Sequence, residues 1–253
     1  MLSDLYRRLM ETLSGGAEDS LWGGSTREDI KKAVPAGSKE QWFHRHLDDL
    51  PNAFLQSSSP EEILADLGRL SELGPRQAVA WGKYLPDREV SEYSVAARDD
   101  VSDGGFHRLA GALTSAGLEI LSAEIHSLKD SMFLDKFYVQ DPDYAAEPDP
   151  TRFDQVSQKL VDALQTPVHE PPTFRRVWGD TARKGSDLKP QPTKIRVDNS
   201  TSDRFTVLDV FAHDRPGLLY TIAKALHELG LSVQAARIGT YICLLYTSDA
   251  ADE

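Results

Sequence analysis

Cysteine is all but missing from this sequence of 253 residues: the single one is Cys243, close to the C-terminal end. One thiol excludes an intramolecular disulfide, a multi-cysteine metal site and dithiol redox chemistry. Long apolar runs are missing too, since no stretch approaches the ~18 residues that a bilayer-crossing helix needs. Positive charge is in deficit, with 28 Lys and Arg against 40 Asp and Glu and a net charge of -12. Phosphate backbones and anionic membranes select a clustered basic face, so the balance argues against nucleic acid and against a membrane surface as partners. A glycine-rich phosphate loop is absent from the N-terminal third, as are paired carboxylates at a catalytic spacing, so no catalytic residue is assigned.

The first residues are not a signal peptide. Leu2, Leu5, Tyr6, Leu9, Met10 and Leu13 form an amphipathic stripe interrupted by Arg7 and Arg8, which is a helix pattern and not a charged head followed by an apolar core. The expected compartment is therefore the cytoplasm. That helix starts in mid-pattern, which suggests a piece of a longer chain. With 40% hydrophobic residues the length suffices for one large or two or three small domains with real cores.

What the sequence does contain is concentrated in Phe205 to Tyr241, FTVLDVFAHDRPGLLYTIAKALHELGLSVQAARIGTY. Phe205 to Ala212 is β-rich and apolar on both faces, as in a largely buried strand. His213-Asp214-Arg215-Pro216-Gly217 breaks it. Leu218, Leu219, Ile222, Ala225, Leu226 and Leu229 then fall three or four apart on one helical stripe, and Gly230 closes it as a C-cap does. A second β-like run, Leu231 to Ile238, follows. A helix opening at Pro216 or Gly217 presents unpaired N–H groups and a positive dipole end, which favour a carboxylate by about 0.3–1 kcal/mol from the dipole alone. Gly217 allows close approach to the backbone. Asp214 has two readings, a helix cap or an acceptor for a ligand's ammonium group.

The turn His213 to Leu219 with Gly230-Leu231 and Ala235 to Ile238 resembles an ACT domain, the small βαββαβ module that binds amino acids. The resemblance implies effector binding by His213, Asp214, Arg215, Pro216, Gly217 and Leu218.

The same pattern occurs earlier. Val90 to Ala97 reads as a strand with Tyr93, Val95 and Ala97 on one side, and a helix runs from Phe106 to Gly117. Leu118 to Ser127 and Met132 to Gln140 then read as strands joined by a hairpin at Lys129 to Ser131. Gly117 and Gly230 differ by 113, and at that offset Ala110, Ala112, Leu113, Leu118, Ala123 and Ile125 meet Ala223, Ala225, Leu226, Leu231, Ala236 and Ile238. Two copies of one unit are present. The first copy carries Val101 and Asp103 where the second has Asp214 and Pro216, with Asp99 or Asp100 as possible substitutes. Thr151 to Leu164 is a helix. Thr166 to Pro192 is a connector in which Phe174, Val177 and Trp178 are expected to dock. Lys194 to Asp198 is expected as the fourth strand of the first copy.

Upstream, Ser25, Ser38 and Ser59 each begin a short helix, the last through Ser59-Pro60-Glu61-Glu62 with a stripe at Ile63, Leu64, Leu67 and Leu70. His44 and His46 stand beside Asp48 and Asp49, but a spacing of two puts the imidazoles on different helix faces, so no metal site is assigned. The run Leu50 to Leu70, with Pro51, Phe54 and Pro60 to Ile63, resembles the helical segment ahead of the first ACT domain in the bifunctional PII uridylyltransferase/uridylyl-removing family. The expected fold is α+β: a helical segment at 1–86, a first ferredoxin-like ACT domain at 87–200 with an inserted linker at 165–192, and a truncated second one at 201–241. Residues 242–253 look like a translated sequencing adapter.

The family resemblance implies glutamine sensing by the ACT pair and, in the parent enzyme, transfer of UMP from UTP to the PII signal protein and its removal. Mg and UTP are implied for the parent and no cofactor for these residues. Two other readings fit parts of the pattern. One is an ACT module of another metabolic enzyme or an alarmone synthetase. The other is a ferredoxin-like RNA binder, disfavoured because Phe133 and Tyr138, five apart, face opposite sides of their strand.

Overall fold

The computed structural model describes residues 27–50, 54–55, 58–98, 104–166, 172–174, 192–202, 205–213, 215–233, 236 and 238. The expected first helix, the 242–253 tail, Asp99 to Asp103 and most of the connector lie outside the described residues.

Among the described residues the helices α1 (Arg27–Lys32), α2 (Glu40–Asp49) and α3 (Pro60–Ser71) precede the sheet. The start of α3 follows from its sequence. The Glu62 amide donates to Ser59 Oγ at 3.3 Å, the Ser59 amide donates back to the Glu62 carboxylate at 3.1 Å, and Pro60 occupies the first turn, so the orphan donors of the helix end are satisfied. Ile63, Leu67 and Leu70 are buried.

A sheet follows, antiparallel throughout: β1 (Ala78–Leu85), β2 (Val90–Arg98), β3 (Glu119–Glu124), β4 (Ser127–Leu128) and β5 (Met132–Gln140). Its order is β1-β2-β5-β3, with β4 alongside β5. Asp130 and Ser131, both left-handed at φ 59° and 52°, make the tight turn between β4 and β5. Two helices, α4 (Gly105–Ser115) and α5 (Pro150–Gln165), cover one face through Leu109, Leu113, Val156 and Leu160 against Tyr93, Val95 and Phe137. The opposite face packs Ala96, Met132 and Leu134 on α1 to α3 through Ile30, Leu47, Ile63 and Leu67, with Phe54 between α2 and α3. The fold is α+β, and β2 is buried from both sides.

Burial on the α1–α3 face extends to charge. Lys136 has no exposed surface, and its Nζ lies 3.2 Å from Asp66, 3.9 Å from Glu92, 3.0 Å from Ser58 Oγ and 4.5 Å from the centre of the Phe54 ring. These partners offset the cost of removing an ammonium group from water. Burial nonetheless raises the Asp66 pKa. His46, also on this side, stacks on Trp42 at 3.9 Å and places Nδ1 2.8 Å from the Trp42 carbonyl. It is a core side chain, while His44 faces Glu40 at the surface.

Three expectations are overturned. Phe205 to Ala212 is not a largely buried strand, because Phe205, Leu208 and Phe211 are exposed. The stretch 1–86 is not helical to its end, because β1 occupies 78–85 and forms the outer edge of the sheet. Lys194 to Asp198 is not the fourth strand of the first copy. The two edges of β2 are already taken by β1 and β5, so the 194–198 strand, β6, pairs with β7 (Val207–Phe211) as a separate antiparallel hairpin. It does for β7 what β1 does for β2. Val197 pairs with Leu208 and Ile195 with Val210, whereas Ala80 pairs with Val95 and Ala78 with Ala97. Leu208 and Val210 are the offset-113 equivalents of Val95 and Ala97. The repeating unit thus begins one strand earlier than the expected βαββαβ order.

Candidate effector-binding turn

The last described helix, α6 (Leu218–Glu228), matches α4 residue for residue at the offset of 113. Both open on a left-handed glycine, Gly104 at φ 71° and Gly217 at φ 76°. Both close alike: the Leu118 amide donates to the Leu113 carbonyl at 3.1 Å, and the Leu231 amide to the Leu226 carbonyl at 2.9 Å. Gly117 and Gly230, at φ 87° and 70°, supply the left-handed residue that this C-cap requires.

The two units meet side by side. Ala123 pairs with Ala236 in an antiparallel bridge, and these residues are repeat equivalents, as a local two-fold relation between the units requires. His227, near the C-terminal end of α6, lies against Gly104 at the start of α4, and its ring stacks on His107 at 5.0 Å. The helices therefore run antiparallel. Gly111 permits their close approach: a Cβ there would stand 2.9 Å from Tyr220 and 3.0 Å from Pro172.

Five of the six residues named from the sequence, His213, Arg215, Pro216, Gly217 and Leu218, come together in the turn between β7 and α6, and Asp214 lies outside the described residues. The helix opens at Leu218, with Gly217 as N-cap, and its first turn is tight. The Leu218 amide donates to the Arg215 carbonyl at 3.0 Å, and the Gly217 carbonyl accepts from the Thr221 amide and hydroxyl, each at 2.9 Å. His213, Arg215 and Pro216 are exposed but Gly217 is buried. What buries it is Phe174, whose ring would stand 2.6 Å (Cδ2) and 2.7 Å (Cζ) from a Cβ at position 217 and meets Tyr220 edge-on at 5.6 Å. The expectation that Phe174 docks is met here, but which surface receives it was not legible.

The matching turn of the first unit is covered differently. A Cβ on Gly104 would come within 2.6 Å of Nδ1 of His107, three residues along the same helix. Burial, then the nearby His227, lowers the His107 pKa below its ordinary 6.5. Sequence reasoning missed His107, Tyr220 and His227; their spacing from the left-handed glycines is the signal that points to them.

No protein-family model matches the chain. Curated proteins do. The chain is 28% identical to a bifunctional uridylyltransferase/uridylyl-removing enzyme of Gluconobacter oxydans over 95% of its own length and 26% of that protein. With those of Novosphingobium aromaticivorans and Erythrobacter litoralis the identity is 32%, over 78% and 85% of this chain and 22% and 23% of theirs. This chain is homologous to one stretch of the bifunctional uridylyltransferase/uridylyl-removing enzymes. It spans about a quarter of the length of the relatives it matches. No described helix is long and apolar enough to cross a membrane.

Proposed function

We propose that this chain is the regulatory part of a PII uridylyltransferase/uridylyl-removing enzyme, a pair of ACT-type units of which the second binds an amino-acid effector, L-glutamine, at residues 213–218. The observation that carries the reading is the pairing of a left-handed, side-chain-free residue with an α-helix start at Gly217, placed at the seam of two equivalent units. A carboxylate reaching that turn would meet helix-end N–H groups and a positive dipole end. Asp214 would accept from the ammonium group. Because the turn adjoins the α4–α6 contact, an effector that binds one arrangement of the units more tightly than another shifts the balance between them, which is how an effector site influences distant catalysis.

UMP transfer to the PII protein and its removal belong, in this reading, to other parts of the parent enzyme. Magnesium and UTP belong, in the same reading, to the parent enzyme; among the described residues no three His, Cys, Asp or Glu side chains come together to hold a metal ion.

Calorimetric titration of L-glutamine into the chain tests the site. Asp214→Ala is expected to weaken binding about tenfold. Unchanged affinity would mean that Asp214 does not touch the effector, and no heat from the unmodified chain would remove the effector reading from it.

A further inference from the structure

We infer that Phe174 is a latch on the Gly217 turn, so that an effector binds there only after the Pro172–Phe174 segment leaves. The inference rests on the effector reading of residues 213–218 and adds to it a competitor within the same chain.

The argument begins with space. A ligand carboxylate needs the backbone that the absence of a side chain at Gly217 leaves open. In this structure that opening is filled, because the Phe174 ring stands where even a methyl group would not fit. The neighbours His213, Arg215 and Pro216 are exposed, so the ring covers the one spot on the turn where close approach matters. The contact continues on both sides of the seam: Phe174 rests on Tyr220 of α6, and Pro172 reaches Gly111 of α4.

Comparison of the two turns shows why this cover is displaceable. Gly104 is covered by His107, a residue of the helix that Gly104 itself caps, and uncovering it means disturbing that helix. Phe174 belongs to neither helix of its seam. It lies in the sequence between α5 and β6, and it can leave without unwinding either one. Closure then reduces the apparent affinity of the turn by the fraction of molecules that are open. Occupancy at one spot is exclusive, so effector binding and latch docking oppose each other, and the binding event is transmitted to the 166–192 connector.

The test compares the chain with its Phe174→Ala and Phe174→Leu variants by two measurements. Amide exchange across residues 215–221 without ligand is expected to rise at least fivefold in Phe174→Ala and less in Phe174→Leu. Calorimetric affinity for L-glutamine is expected to tighten at least threefold in Phe174→Ala. Unchanged exchange overturns the latch whatever glutamine does, because the ring then protects nothing. Faster exchange with unchanged or weaker affinity also overturns it, making Phe174 a bystander or a wall of the site. If exchange rises but glutamine binds none of the three proteins, the effector reading fails by itself, and Phe174 is reduced to an apolar cap with no ligand to oppose.

Discussion

The first and second units share a local plan and differ in how completely it is packed. Their helices coincide at an offset of 113, their caps use glycines at φ values within 17° of one another, and their hairpins share a register. Yet at equivalent positions Leu118 is 3% exposed and Leu231 55%, and Ala116 is 8% exposed and Leu229 73%. The first unit has β5 and α5 to close its core and α1 to α3 behind its sheet; the described part of the second has a hairpin, a helix and the first unit as neighbour. Caps and turn glycines are therefore sufficient to set the strand–turn–helix path. Sealing a core requires elements more distant in sequence.

The widest separation between the units is expected from paired leucine truncations. Leu113 is fully buried and Leu226 partly so. Leu113→Ala leaves a cavity among Leu109, Phe137 and their neighbours and is expected to cost about 3 kcal/mol, while Leu226→Ala costs about 1 kcal/mol or less. Urea unfolding followed by circular dichroism measures both. Equal losses would break the comparison and mean that the second unit is as well sealed as the first.

How far the sequence revealed this arrangement depends on what each element asks of its residues. The α4 and α6 helices, their C-caps and the offset of 113 were legible because caps and stripes are local. The strand β1 was not. Its positions toward α5 are Ala78, Ala80, Gly82 and Tyr84, the first three small because the Phe153 and Tyr93 rings occupy the space beyond Gly82, while Val79 and Trp81 pack toward α1 to α3, so it shows no apolar-polar alternation. Once β1 was missed, β6 had no precedent, and its assignment to the first unit followed. At the candidate site, the turn itself could be read from Pro216 and Gly217. Phe174 could be marked as a docking residue, but its partner is 43 positions away and no local rule reaches that far.

A smaller effect sharpens the comparison at the seam. Burial and the facing His227 hold the His107 pKa below 6.5; Arg108 and Lys224 act in the same direction and Glu228 against it. With the folded value below the unfolded one, the unfolded chain takes up the proton first. The contribution of this contact is complete above about pH 6.5 and is lost as pH falls through that value toward the folded pKa. Amide exchange in α6 is expected to accelerate between pH 7.5 and 5.5, after correction for intrinsic rates, by more than that in β2 and β5. His107→Gln should flatten the difference. If the pH response survives that substitution, the stacked imidazoles are not its source.

The smallest expected effect concerns the two hairpins. Val197 and Ala80 hold the same ladder position, but Val197 is 59% exposed, while Ala80 packs against the core beneath α5. A hydroxyl added at Ala80 enters apolar surroundings and is expected to cost about 1 kcal/mol. Val197→Ser gives up only strand preference and should change stability by less than about 0.5 kcal/mol. Because Ile195 and Leu208, on the same face of the hairpin, are also exposed, at 64% and 36%, Val197→Ser should in addition reduce concentration-dependent association, measurable by analytical ultracentrifugation. A loss of 1 kcal/mol or more at Val197 would show that the β6–β7 hairpin is covered in solution, and the second unit would then be sealed by something that the first unit does not need.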